Sequence, residues 1–469
     1  MVKIFKFVLV VLASMLIGCS LRVGEQPHVR SLVEKVEYQL AKAKQLRGYN
    51  AFIHLSERQS LVAANRLAQV SNPENLPLFG MTLAIKDNIE VANMPHTVGH
   101  KLLTEYHPKS DATVIELVKD AGAIVLGKAN MHELAYGITS NNAAFGAVAN
   151  AHDYSKFAGG SSGGVAVAVA LGITDAGLGT DTGGSTRIPA SLNGIVGFRA
   201  TTGRYSNRGL SLISTTRDTV GPMAKDVTTI ARLDAVLANE TYSTQTIEAA
   251  NLRLGVPKAY FYENLSSDVA KEMKRVLTKL TQAGVTLVFK DIDLVPELNE
   301  RVSFPVVLFE TKQLLPKLIE RAGLDLSLDE FVEGISSPDV KEIIKAALEQ
   351  PVPESVYQEA ITVLRPQLQQ AYQKYFDNNQ LDGLIIPATP LVAQDIEGSD
   401  REVTLNGKSV PTFATFIKNT DPSSNAGIPS LVLPIKNKNG LPIGLQIDAP
   451  VNSDRKLLAV GLLIERLID

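Results

Sequence analysis

Two glycine-rich turns carry the serines of this chain that are best placed for chemistry. The first reads Gly159-Gly160-Ser161-Ser162-Gly163-Gly164, and the second reads Gly179-Thr180-Asp181-Thr182-Gly183-Gly184-Ser185. An Ala/Val helical run and a short strand pattern lie between them. Glycine permits backbone conformations in which consecutive N–H groups converge on one point. A developing oxyanion needs such a point, and one lost donor costs roughly 3 kcal/mol of transition-state stabilisation. A phosphate cradle uses similar turns, but neither turn is followed by Gly-Lys-Ser or Gly-Lys-Thr. Two serine-bearing turns at this spacing point to catalysis rather than to ordinary loops.

A serine nucleophile needs a base, and histidine is poorly placed to supply it. All seven histidines, His28, His54, His96, His100, His107, His132 and His152, precede the first turn. An α/β-hydrolase places its histidine after the nucleophile, and no Gly-Asp-Ser-Gly context supports a chymotrypsin-like order. Neutral lysine is the alternative, because desolvation removes its proton readily. Lys86, in Ala84-Ile85-Lys86-Asp87-Asn88, ends an apolar strand pattern where burial is expected. No metal is expected. His96, His100 and His107 share a loop-like segment with Gly99 and Pro108, and His132-Glu133 lacks the second histidine of a zinc-protease motif.

Short apolar strands are expected at 81–85, 124–126, 175–178, 194–198, 384–386 and 430–434. Helical patterns are expected at 31–46, 56–70, 112–121, 267–283 and 354–378. The early alternation of strand and helix predicts an α/β sheet. Residues from about 240 to 380 are more charged and more helical and read as an elaboration on one side of it.

The chain has 469 residues, 45% hydrophobic and 20% charged, enough for a large core. A formal net charge of -3 gives no reason to expect a nucleic-acid partner. Residues 1–18 read as a signal peptide: Lys3 and Lys6, an apolar run over 7–17, then Leu16-Ile17-Gly18-Cys19. That ending resembles the bacterial lipoprotein box. It implies cleavage before Cys19, the only cysteine, and attachment of diacylglycerol to its sulfur. Residues 19–30 would then tether an exported domain, residues 31–469, to the membrane surface, with about 0.8 kcal/mol of anchoring per buried methylene.

Gly80-Met81-Thr82-Leu83-Ala84-Ile85-Lys86-Asp87-Asn88, the first serine turn and the stretch Asp181 to Pro189 resemble the amidase signature family in order and spacing. Gly197 to Thr201, Asp218 to Met223, Asn425 to Pro429 and Leu441 to Gln446 extend the likeness, which covers nearly everything from about Leu32 onward. The resemblance implies a single α/β domain, a large mixed central sheet with helices on both faces. It makes Ser185 the nucleophile, Ser161 the relay after a cis Gly160–Ser161 bond, and Lys86 the base. Thr182, Gly183, Gly184 and Ser185 would donate oxyanion N–H groups, Ser162 would be a loop or helix-capping hydroxyl, and no cofactor is needed.

The implied reaction is acyl transfer, hydrolysing an amide to acid plus ammonia or amine. Residues 131–142 and 216–219 look most like the indoleacetamide and mandelamide hydrolase branch, which implies a small primary amide, with aryl amides among the candidates. Tyr136, Thr139, Ser140 and Asn141 are the candidate pocket lining. Three rivals stay open at this point: a glutamyl-tRNA amidotransferase-like subunit, a non-catalytic ligand-binding lipoprotein, and an esterase or peptide amidase. Oligomeric state is not legible.

Overall fold

The structure is a computed structural model that describes residues 31–243, 245–437 and 440–468. Cys19 and the whole signal and tether segment lie outside the described residues.

The first half supplies strands β1 (Phe52–Leu55), β2 (Thr82–Lys86), β3 (Ile124–Ala129), β4 (Asn141–Asn142), β5 (Gly146–Ala147), β6 (Ala176–Asp181), β7 (Val196–Arg199) and β8 (Thr219–Ala224). The second half supplies β9 (Arg253–Gly255), β10 (Thr286–Val288), β11 (Gly383–Pro387), β12 (Glu402–Leu405), β13 (Lys408–Pro411), β14 (Ser430–Ile435) and β15 (Ile443–Asp448). Eleven of these form one mixed sheet in the order β1-β3-β2-β6-β8-β7-β14-β15-β11-β9-β10. β2 runs parallel to both β3 and β6, whereas β6, β8, β7, β14, β15 and β11 alternate in direction. The single α/β domain with a large mixed sheet is therefore as expected. Within residues 240–380, which are largely helical, β9 and β10 extend the main sheet.

Helices cover both faces. α1 (Leu32–Gln45) opens with a capping box in which Ser31 and Glu34 satisfy each other's backbone N–H, and it buries Val36, Leu40 and Ala43. α2 (Glu57–Leu67) packs beside it on the same face. α3 (Thr113–Asp120) buries Val114, Ile115 and Val118 in the opposite core, which it shares with α6 (Val227–Leu237) and α7 (Ser267–Gln282).

α4 (Gly163–Ala170), between the two serine turns, is apolar all round and lies buried over β2 and β6. A Cβ on Gly164 would come within 2.3 Å of the Asn130 carbonyl oxygen, so only glycine lets the helix start so close to the strand end. α5 (Arg187–Asn193) follows the second turn.

Beyond the sheet, α8 (Val295–Arg321), α9 (Leu328–Glu333) and α10 (Pro338–Glu349) build the helical side of the molecule. α8 continues through Pro305 and Pro316, each lacking the N–H that would bond back one turn. Packing along Val302, Val306, Leu315, Leu318 and Ile319 holds it together. Among the described residues no helix is long and apolar enough to cross a membrane.

Candidate active site

β2 and β6 are parallel neighbours, so their carboxyl ends emerge side by side, where open α/β sheets place ligand sites. Lys86 ends β2 and is fully buried. Its Nζ donates to Ser161 Oγ at 2.7 Å and to Thr180 Oγ1 at 2.8 Å. Asn88 Nδ2 also donates to Thr180 Oγ1, at 3.1 Å, fixing that hydroxyl from the other side. Burial lowers the Lys86 pKa to about 7, opposed only by the more distant negative fields of Asp218 and Asp181. Among the described residues no carboxylate lies within ion-pair distance of this amine.

The first turn brings Ser161 to Lys86 through a cis Gly160–Ser161 peptide bond. A side chain on Gly160 would meet the Ser140 backbone nitrogen at 2.8 Å. Ser162 is buried, and its hydroxyl donates to the Thr180 carbonyl (3.2 Å) and accepts the Thr180 N–H (3.3 Å). It makes no capping bond to α4. The Ser162 N–H donates to the Ser185 carbonyl at 3.1 Å, so Ser162 stitches the two turns together.

The second turn is organised around Asp181. This buried carboxylate accepts the Gly184 N–H (2.9 Å) and the Thr186 N–H (3.1 Å) and pairs with Arg187 (3.0 Å) and Arg199 (3.1 Å). Burial alone would push its pKa up, but Arg187 and then Arg199 outweigh burial and hold it well below the usual carboxylate range. Gly184 takes a φ of +136°, and a Cβ there would strike Thr420 Oγ1. Of the four expected oxyanion donors, Gly184 therefore points its N–H at Asp181. The Thr182, Gly183 and Ser185 N–H groups have no such protein partner among the described residues. Thr182 Oγ1 donates to Asp218, which also accepts the Ile213 and Ser214 N–H groups and so fixes the far side of the turn.

Ser185 and Tyr136 line a narrow cavity together with Thr182, Gly183, Ile138, Ile213, Arg217, Phe304, Val307, Ile343, Phe413 and Ile417. Its walls are mainly apolar, and it holds about 50 Å³ of water-accessible space. Phe304 of α8 is 44% exposed and packs near Phe413, ring centroids 6.1 Å apart. A larger hollow of about 670 Å³, lined by Asn193, Lys225 and Pro442, shares no residue with it and contains none of the serines.

The other sequence candidates fall elsewhere. Thr139, Ser140 and Asn141 do not line the cavity. The Ser140 N–H donates to His132 Nδ1 (3.2 Å), and its hydroxyl accepts the Gly163 N–H (3.1 Å), which supports the first turn from behind. Thr139 Oγ1 accepts the Asn141 N–H, and Asn141 Nδ2 donates to the Ile396 carbonyl. His96 bonds Ser211, His100 bonds Glu133, and His107 bonds its own loop. Among the described residues no three histidine, cysteine or acidic side chains are grouped to hold a metal ion. Sequence reasoning gave no role to Thr180, Arg217, Phe304 or Phe413. The first two lay inside quoted motifs, whereas the phenylalanines are brought in by distant helices without local signal.

The amidase family model matches residues 34–458. An indoleacetamide hydrolase of Allorhizobium ampelinum is 36% identical over 448 residues, covering 95% of both chains. A mandelamide hydrolase of Pseudomonas putida is 38% identical over 458 residues, covering 94% of this chain and 88% of its own. A crystal structure of an amidase superposes with a TM-score of 0.84 at 33% identity, covering 94% of this chain and 97% of its own. The chain belongs to the amidase family.

Proposed function

We propose that this amidase hydrolyses a small aryl primary amide to its acid and ammonia through an acyl-enzyme on Ser185. The observation that carries the reading is the contact of a buried, carboxylate-free Lys86 amine with Ser161 Oγ at 2.7 Å. Neutral Lys86 accepts the Ser161 proton, Ser161 accepts that of Ser185, and Ser185 Oγ attacks the amide carbon. The oxyanion is received by the Thr182, Gly183 and Ser185 N–H groups. The relayed proton departs with ammonia, and water then cleaves the ester to release the acid and restore Ser185. An apolar cavity with little free space suits a small aryl acyl group, and the two hydrolases named above act on amides of that size.

A fluorophosphonate, followed by mass mapping of the peptide between Lys156 and Arg187, tests the assignment. Ser185 is expected to carry the label in the wild type, and Ser185→Ala to lose both label and activity. A label on Ser161 or Ser162 with Ser185 unmodified would overturn the assignment. The Leu16-Ile17-Gly18-Cys19 sequence supports a further part of the proposal, export and lipid anchoring. Cys19→Ser should convert a detergent-extracted protein into an unprocessed or soluble one. Equal membrane retention after correct cleavage would refute it.

A further inference from the structure

Tyr136 lines the cavity beside Ser185, and its buried hydroxyl has no hydrogen-bond partner among the described residues. An unpaired buried polar group is destabilising, and a buried tyrosine hydroxyl usually finds a partner. The backbone leading to it is also unusual. Leu134 and Ala135, neither of them glycine, take left-handed φ values of 53° and 63°, a conformation that residues other than glycine seldom adopt.

That segment is fastened at the helical side of the molecule. Glu133 pairs with His100 at 2.7 Å and accepts the Ser337 N–H at 2.7 Å, and His132 lies 3.0 Å from Asp339 of α10. The phenol is thus held in place at the cavity wall by contacts that do not involve its own hydroxyl.

The charge pattern narrows what could pair with it. Arg217, also on the cavity wall, is already neutralised by Asp421 and donates to the Ser303 carbonyl at 3.1 Å, while its buried Nε is unpartnered. Asp218 adds negative field nearby. An anionic acyl group therefore has no unpaired cation to meet and faces the Asp421 carboxylate, and the wall beyond Thr182, Ser185, Ser303, Arg217 and Asp421 is mainly apolar. Burial first, then Asp218, push the phenol well above its ordinary pKa, so it stays protonated, one donor with acceptor lone pairs.

Resting on the hydrolase reading above, we propose that Tyr136 Oη is a specificity determinant that hydrogen-bonds a neutral polar atom on the acyl group. The preferred substrates are then arylacetamides bearing such an atom, in preference to plain phenylacetamide and to monoamides of dicarboxylic acids.

Ammonia release from phenylacetamide, 2-hydroxy-2-phenylacetamide and succinamic acid, by wild type and Tyr136→Phe, tests this. The wild type should favour the hydroxylated amide over phenylacetamide by about tenfold or more in kcat/KM, as expected of a site built to hydrogen-bond its substrate. Tyr136→Phe should bring that ratio towards one, and succinamic acid should be the poorest substrate throughout. An unchanged ratio in Tyr136→Phe overturns the inference. So does a wild type that treats the two aryl amides alike, a result that needs no variant to fold and leaves the hydrolase reading standing. Failure to hydrolyse any amide, with Ser185 unlabelled, overturns both.

Discussion

Lys86 and Lys128 end up on adjacent parallel strands, both wholly buried, yet they meet different partners. Lys128 Nζ lies 2.8 Å from an Asp87 carboxylate oxygen and donates to the Pro95 carbonyl at 2.9 Å. Lys86 Nζ touches two hydroxyls and no carboxylate. Burial lowers both pKa values, but at Lys128 the adjacent Asp87 opposes it directly, whereas at Lys86 the opposing charges act only from a distance. Burial alone therefore does not make a lysine a base. The absence of a contacting counter-ion does, and it turns one of two similar side chains into a proton acceptor and the other into a structural cation.

Exchanging the two roles is the strongest way to break that comparison. Lys86→Met should lower kcat/KM by at least about a thousandfold, because the relay has no acceptor. It should change unfolding free energy by no more than about 1–2 kcal/mol, since only bonds to hydroxyls are lost. Lys86→Arg should not restore activity, because arginine stays protonated. Lys128→Met should do the reverse, costing about 3–5 kcal/mol by stranding buried Asp87 while each folded molecule keeps the Ser161–Lys86 contact. Urea titration with assays on the folded fraction separates the two. A stable Lys128→Met, or an active Lys86→Met, would contradict the division of roles.

Much of this arrangement is legible in the sequence, and what is not has physical causes. The strand expected at 81–85 is Thr82–Lys86, and the helix expected at 267–283 is Ser267–Gln282, because period and capping residues are local signals. The two serine turns are legible because glycine, serine and spacing are written consecutively. Lys86 and Lys128 are not distinguishable in that way. Asp87 sits next to Lys86 in sequence, yet it lies in the turn just past the end of β2, and its carboxylate pairs with Lys128 on the neighbouring β3. The cavity wall is equally non-local, since Phe304 and Phe413 arrive from segments with no motif. Continuous α8 is illegible for a different reason: Pro305 and Pro316 read as helix breaks, and tertiary packing overrides them.

A milder change sharpens the comparison. Thr180→Asp places a carboxylate where a hydroxyl now lies 2.8 Å from Lys86 Nζ, giving this lysine the partner that Lys128 has. An opposite charge at that range raises a lysine pKa by about 1–3 units. The alkaline rise of activity should move up by that amount with the plateau largely kept. A variant whose profile stays in place would show that contact with a counter-ion does not set the basicity of Lys86.

The most direct test is the wild-type pH dependence of kcat/KM on a neutral amide whose own ionisation lies outside the range. An unperturbed lysine would be neutral in only about one molecule in three thousand at pH 7, whereas Lys86, lowered to about 7, is neutral in roughly half. Protonated Lys86 cannot accept the Ser161 proton, so activity should be low in acid, rise through a single ionisation near pH 7, and level off above it. A rise centred near pH 10, or a profile flat across neutrality in an enzyme that still requires Lys86, would contradict the account.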